Sequence, residues 1–128
     1  MEMWFSEFHT PDVKHSIRVN RQLYSKQSDY QRIDIFETPE FGRVLTLDGN
    51  VMLTERDEFI YDEMITHVPM AIHKEARDIL VIGAGDGGVV RELTRYDRVR
   101  HIDLVEMLSL IHISKPTRPL DISYAVFC

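Results

Sequence analysis

The sequence predicts two architectures in succession: an antiparallel β region, then a βαβ unit that opens an α/β domain. Three observations carry this. Short apolar runs punctuated by turn residues occupy Ser16 to Thr54. A further apolar run, Ile79 to Ile82, stops at the glycine cluster GAGDGG. A helix-like stretch, Val89 to Arg95, is then followed by the apolar run Ile102 to Val105. Strand, glycine turn, helix and strand in that order imply parallel strands joined by a crossover.

In the first region Ile33 and Ile35 alternate with Arg32, Asp34 and Phe36, and Val44, Leu45 and Leu47 form a second apolar run. Thr38-Pro39-Glu40-Phe41-Gly42 between them is a turn by composition. Asp48-Gly49 is a stronger signal, because that dipeptide accepts the positive φ of a tight hairpin. In TERDEFIYDEMITHVPMAI, residues Phe59, Ile60, Met64 and Val68 recur near helical spacing. Thr54 and the acids after it mark the expected helix start, and Pro69 is expected to end or bend the helix.

The 128 residues are 44% hydrophobic and 28% charged, an ordinary globular composition that suits one domain or two small ones. No apolar run approaches the roughly 20 residues of a membrane span, and MEMWFSEFHT has neither the basic start nor the apolar centre of a signal peptide. A cytoplasmic protein with no membrane partner is expected. The one cysteine, Cys128, excludes an intrachain disulfide, and six histidines without ligand spacing give no reason to expect a metal. A net charge of -6 without a basic patch argues against nucleic acid and suits a cationic small molecule.

Gly83, Gly85 and Gly88 satisfy GxGxxG after a strand and before a helix, with Glu106 at the end of the next strand. A carboxylate there accepts hydrogen bonds from both ribose hydroxyls and repels a 2′-phosphate. NADP is therefore disfavoured, while NAD and S-adenosyl compounds both stay open. The structural alternative is a tight strand-to-helix turn with a solvated acid at the strand end. Asp86, inside the turn, repels a pyrophosphate and attracts a sulfonium or an ammonium group. Its alternative role is an N-cap for the following helix, and the two roles are compatible.

EFGRVLTLDGNVMLTERDEFIYDEMITHVP, then ILVIGAGDGGVVREL, then VE, strongly resembles the polyamine aminopropyltransferases of the spermidine synthase family, from about Trp4 to Met107. The resemblance implies a small N-terminal antiparallel β domain followed by the start of a truncated α/β Rossmann-like domain of the S-adenosylmethionine methyltransferase type. The expected boundaries are 1–54 for the β domain and 55–107 for the connecting helix and first βαβ unit. It also implies transfer of an aminopropyl group from decarboxylated S-adenosylmethionine to putrescine, giving spermidine and methylthioadenosine. No cofactor is permanently bound, and the full-length form is a homo-oligomer, dimer or tetramer.

By the same resemblance Glu106 takes the ribose, Gly83 and Gly85 let the backbone approach the nucleoside, and Asp86 receives the aminopropyl ammonium. Gln31, in SDYQRIDIF, matches the family glutamine that contacts the nucleoside from the β domain; by itself it reads as a surface strand residue. Tyr61 and Asp62 match the polyamine pocket, where the family often has His in place of Asp62. Spacing alone makes Tyr61 core and Asp62 an exposed helix residue. Glu58 and Glu63 read as surface or interface charges.

After Met107 the resemblance stops. LSLIHISKPTRPLDISYAVFC, 108–128, places Pro116 and Pro119 where a crossover helix belongs, each costing about 3 kcal/mol in a helix interior. It resembles a foreign or out-of-frame end and is expected to be disordered, leaving the preceding strand edge uncovered. No catalytic residue is assigned, since the family's base aspartate lies in a later segment, and the chain as written is expected to be an inactive fragment. Two other readings are an S-adenosylmethionine-dependent methyltransferase and a non-catalytic oligomerising module. Against the first, Val81 stands where many such enzymes place an acid.

Overall fold

The computed structural model describes residues 1–106 and 120–126, and the chain divides into two units, Met1–Glu58 and Phe59–Cys128. The boundary expected after residue 54 lies at the end of the last strand of the first unit. The division falls instead at the first residue of a helix.

In the first unit β1 (Met3–Thr10) and β2 (Val13–Val19) form a two-stranded antiparallel sheet. Strands β3 (Arg21–Gln27), β4 (Arg32–Thr38), β5 (Gly42–Leu47) and β6 (Asn50–Thr54) form a second antiparallel sheet in sequence order. The hairpin predicted at Asp48-Gly49 is present: both residues have positive φ, 51° and 82°, and Leu47 pairs with Asn50 across them. Thr38 and Gly42, the ends of the other expected turn, pair with each other. The strand β1 was not anticipated. None of its residues is fully buried, so it lacks the alternation that marks a strand with one face in a core.

Asp34 departs from the outward position that its alternation with Ile33 and Ile35 suggested. It is 4% exposed. The Phe5 and Phe36 rings lie 5.1 Å apart, so the face of β4 carrying Phe36 is covered by β1, and Asp34 shares that face. Burial alone raises the Asp34 carboxyl pKa, but hydrogen bonds from Ser25, Arg32 and Gln22 outweigh it and hold the carboxyl below its ordinary value.

The second unit contains α1 (Glu58–Ile72), β7 (Asp78–Ile82), α2 (Gly88–Leu93), β8 (His101–Glu106) and β9 (Asp121–Val126). The three strands lie parallel in the order β7-β8-β9. Met70, Val81, Val89, Val90, Leu93, Val99, Ile102 and Leu104 form its core. Leu80 and Ile82, on alternate positions of β7, remain exposed.

Of the two outcomes expected at Pro69, an end or a bend, the first does not occur, and the expectation for the tail is corrected in part. Pro69 does not end α1, which continues to Ile72; Met70 is buried in the core, and the Arg98 guanidinium donates to its carbonyl at 2.7 Å. Tertiary contacts beyond the proline hold a turn that local propensity alone would release. The described part of the tail, expected to be disordered, is a strand: β9 pairs along the whole of β8, from His101↔Asp121 to Glu106↔Val126. The unpaired amides and carbonyls of a strand edge accept any segment of suitable pattern, and Leu120 and Ile122 pack on the core as they do so. The edge of β8 is therefore covered. Residues 107–119 and 127–128, which include Met107, Pro116, Pro119 and Cys128, lie outside the described residues.

Candidate functional site

The glycine turn between β7 and α2 has a backbone that side chains rarely adopt. Gly83, Ala84 and Gly87 all have positive φ, at 77°, 59° and 84°. The Gly83 N-H donates to the Val105 carbonyl at 2.9 Å, extending the register in which Ile82 pairs with Val105. This stitches the turn to the end of β8, where Glu106 follows. The Gly83–Gly85 backbone and Glu106 thus sit at the carboxyl ends of two adjacent parallel strands, the edge at which open α/β sheets take ligands. Gly83 spends its amide on the sheet, which leaves one donor fewer for a phosphate.

Asp86 is exposed at the crest of the turn. The N-cap of α2 is Gly87, in the left-handed conformation, with no side-chain cap bond among the described residues. Asp86 thus stands one residue before the N-cap position, not at it. Carboxylate oxygens of Asp62 and Asp86 lie within 4.8 Å of one another, an all-oxygen pair that attracts hard or organic cations.

Spacing made Tyr61 core and Asp62 exposed; the structure reverses both. Tyr61 is 64% exposed and Asp62 1%. The inward face of α1 is Asp62, Thr66 and Met70, while Phe59, Ile60, Met64 and Val68 face outward. Asp62 accepts a hydrogen bond from the Arg91 guanidinium at 3.4 Å. It also abuts Gly88 so closely that a Cβ built there would fall on its carboxylate. The third glycine of the motif is thus required by the approach of α2 to α1.

Beside this pair lies a network that the sequence did not reveal. Glu92, 4% exposed, accepts from Arg91 Nε at 3.1 Å and Arg95 at 2.6 Å and is bonded to His67 Nε2 at 3.1 Å. His67 Nδ1 in turn meets the Tyr96 hydroxyl at 2.6 Å. Burial alone raises the Glu92 carboxyl pKa; the hydrogen bonds from Arg95, Arg91 and His67 outweigh it and hold the carboxyl below its ordinary value. His67 and Glu92 are far apart in sequence on different helices, so no spacing signal connects them.

Gln31 belongs to the first unit. It lies in the turn between β3 and β4, not in a strand, and its backbone is held by Ser28, whose Oγ accepts from the Gln31 N-H at 2.9 Å. The second unit thus brings Gly83 and Gly85 to the strand end that carries Glu106, and Asp62 to Asp86.

A parallel βαβ unit with a glycine turn at its strand ends, preceded by an antiparallel β unit, defines an α/β protein of the Rossmann-like class with an N-terminal β domain. Residues 3–55 match the model of the spermidine synthase tetramerisation domain, and residues 58–115 that of the spermine/spermidine synthase domain. The chain belongs to the spermidine synthase family. The second match extends past Met107 into the segment expected to lie outside the family. A polyamine aminopropyltransferase of Lachnoclostridium phytofermentans is 63% identical over 107 residues, 84% of this chain and 38% of that protein. One of Alkaliphilus oremlandii is 60% identical over 111 residues, 87% of this chain and 39% of that protein. The crystal structure of spermidine synthase from Thermotoga maritima superposes with a TM-score of 0.80 at 48% identity, covering 84% of this chain and 38% of that one. A spermidine synthase in complex with the transition-state analogue AdoDATO gives the same TM-score and identity over 84% of this chain and 37% of that one. The chain spans about two fifths of the length of these relatives.

Proposed function

We propose that these residues form the nucleoside-binding part of a spermidine synthase, which transfers the aminopropyl group of decarboxylated S-adenosylmethionine to putrescine. In that reaction the nitrogen lone pair of a neutral amine attacks the carbon beside the sulfonium. A C–N bond forms, the C–S bond breaks with its electron pair going to sulfur, and the amine loses a proton. The work is alignment of two cations and removal of that proton. The observation that carries the reading is Asp86, an exposed carboxylate in the glycine turn. Its charge suits the aminopropyl ammonium and opposes a dinucleotide pyrophosphate.

Glu106 accepts the ribose hydroxyls, Gly83 and Gly85 admit the nucleoside to the backbone, and Tyr61 contributes a further contact. Proton removal falls to a group outside the residues described. Assembly through the first unit, and a cytoplasmic setting, belong to the same proposal.

The test uses residues 1–107 completed by the C-terminal part of the Lachnoclostridium relative. Asp86→Asn is expected to weaken decarboxylated S-adenosylmethionine far more than methylthioadenosine, which lacks the amine. Glu106→Gln is expected to weaken both, by about 1.5–3 kcal/mol, through loss of hydrogen bonds to a charged acceptor. Calorimetry giving equal losses for the two ligands in Asp86→Asn would remove the charge pairing. Unchanged affinities in Glu106→Gln would remove Glu106 from the site.

A further inference from the structure

We infer that His101 is a pH-set latch on β9: as an imidazolium it ties Asp121, the first residue of that strand, to Asp103 of β8, and on losing one proton it releases Asp121.

The two strands meet in register at this pair, His101↔Asp121. His101 Nδ1 lies 2.9 Å from Asp121 Oδ2, and Nε2 lies 3.0 Å from Asp103 Oδ1. An ionised carboxylate only accepts hydrogen bonds, so both ring nitrogens must donate, and only the doubly protonated ring does that. Asp78, in register with His101 on β7, is a third carboxylate on this face of the sheet. Neither β7, β8 nor β9 contains a lysine or an arginine. Arg77 and Arg100 lie just ahead of β7 and β8, and the Arg77 carbonyl accepts from the N-H of Arg100 and of His101. The hydrogen bond with Asp103 raises the His101 pKa, burial opposes the rise, and the bond with Asp121 adds to it, so the ring keeps its second proton above the ordinary value of 6.5.

Loss of that proton does not affect the two bonds equally. Asp103 stands two residues along the same strand and stays beside the ring whether β9 is docked or not. The remaining N-H serves it, and the bare Nδ1 then turns a lone pair toward the Asp121 carboxylate, which is repulsive. Leu120 and Ile122, on either side of Asp121, pack on the core, so the start of β9 is held by apolar contacts with this charged bridge between them. The bridge contributes fully below the ordinary pKa and is lost as the pH rises through the folded one.

Tyr124, 55% exposed in β9, reports the release. Chymotryptic cleavage after it, compared at each pH with that of a peptide of residues 118–128, measures how often β9 leaves β8. In the full chain this relative rate is expected to rise about three- to tenfold between about pH 6 and about pH 8.5. The His101 ring, followed by NMR, is expected to titrate above 6.5. In Asp121→Asn an amide donates as well as accepts and so serves the neutral ring too; the rate is expected to stay within about twofold across the same range. Asp121→Ala serves neither form, and is expected to be cleaved at about pH 6 as fast as the parent at about pH 8.5. Both substitutions lie at a side chain that is 78% exposed, so folding of the unit does not depend on them. A rise in Asp121→Asn as large as in the parent, a parent whose rate stays flat, or a His101 ring that titrates at 6.5 or lower would each overturn the latch.

Discussion

Gly88→Ala is expected to destabilise the second unit by about 2–4 kcal/mol, measured by chemical denaturation. The added Cβ falls on the Asp62 carboxylate. Were that carboxylate at the surface, it would swing aside at little cost; at 1% exposure and ion-paired to Arg91, it has nowhere to go. Either α2 retreats, an overpacking cost of about 1–3 kcal/mol, or the buried pair breaks, which costs about 3–5 kcal/mol. Alanine is the better helix former by about 1 kcal/mol, which offsets only part of either cost. Combining Gly88→Ala with Asp62→Ala makes room for the methyl, so the two losses are expected to be less than additive. Strict additivity would show that the two residues do not meet.

Glu92→Gln is expected to cost about 1.5–3 kcal/mol at neutral pH, because a charged acceptor that serves three donors becomes a neutral one. The pH dependence fixes the cause. The carboxyl is held below its ordinary value of 4.5 in the folded chain, so its contribution is complete above that value and is lost as the pH falls through the folded pKa. The stability of the parent chain is therefore expected to fall more steeply than that of Glu92→Gln between about pH 5 and about pH 3. Parallel curves would mean that the ionised form of Glu92 gains nothing from its partners.

What the sequence disclosed and what it withheld divide along physical lines. The Asp48-Gly49 hairpin, the β7 run and the glycine turn were legible because each is encoded within a few consecutive residues. Positive φ and a sheet-buried apolar run leave compositional marks wherever they occur. The face of α1 was misjudged because periodicity assumes that apolar residues point inward, and here the inward face carries Asp62 and Thr66. A buried carboxylate is stable only through a partner, and Arg91 is brought to it by the tertiary fold, not by spacing. The same holds for Glu92 with His67, and for Pro69, where the contacts of Met70 and Arg98 outweigh a local preference. In the site, Gly83, Gly85 and Asp86 were marked by the motif, whereas the position of Asp62 was invisible without the glycine it touches.

The β7-β8-β9 order has a consequence for hydrogen exchange. Strand β8 is bonded on both sides and carries Ile102, fully buried, and Leu104, 2% exposed, so its amides are expected to be the best protected of the sheet. The amide of Gly83 donates to Val105 in that same strand. The Gly83 amide is therefore expected to exchange together with β8. If the turn takes a nucleoside as proposed, binding is expected to raise the free energy of that opening and to register as slower exchange along β8.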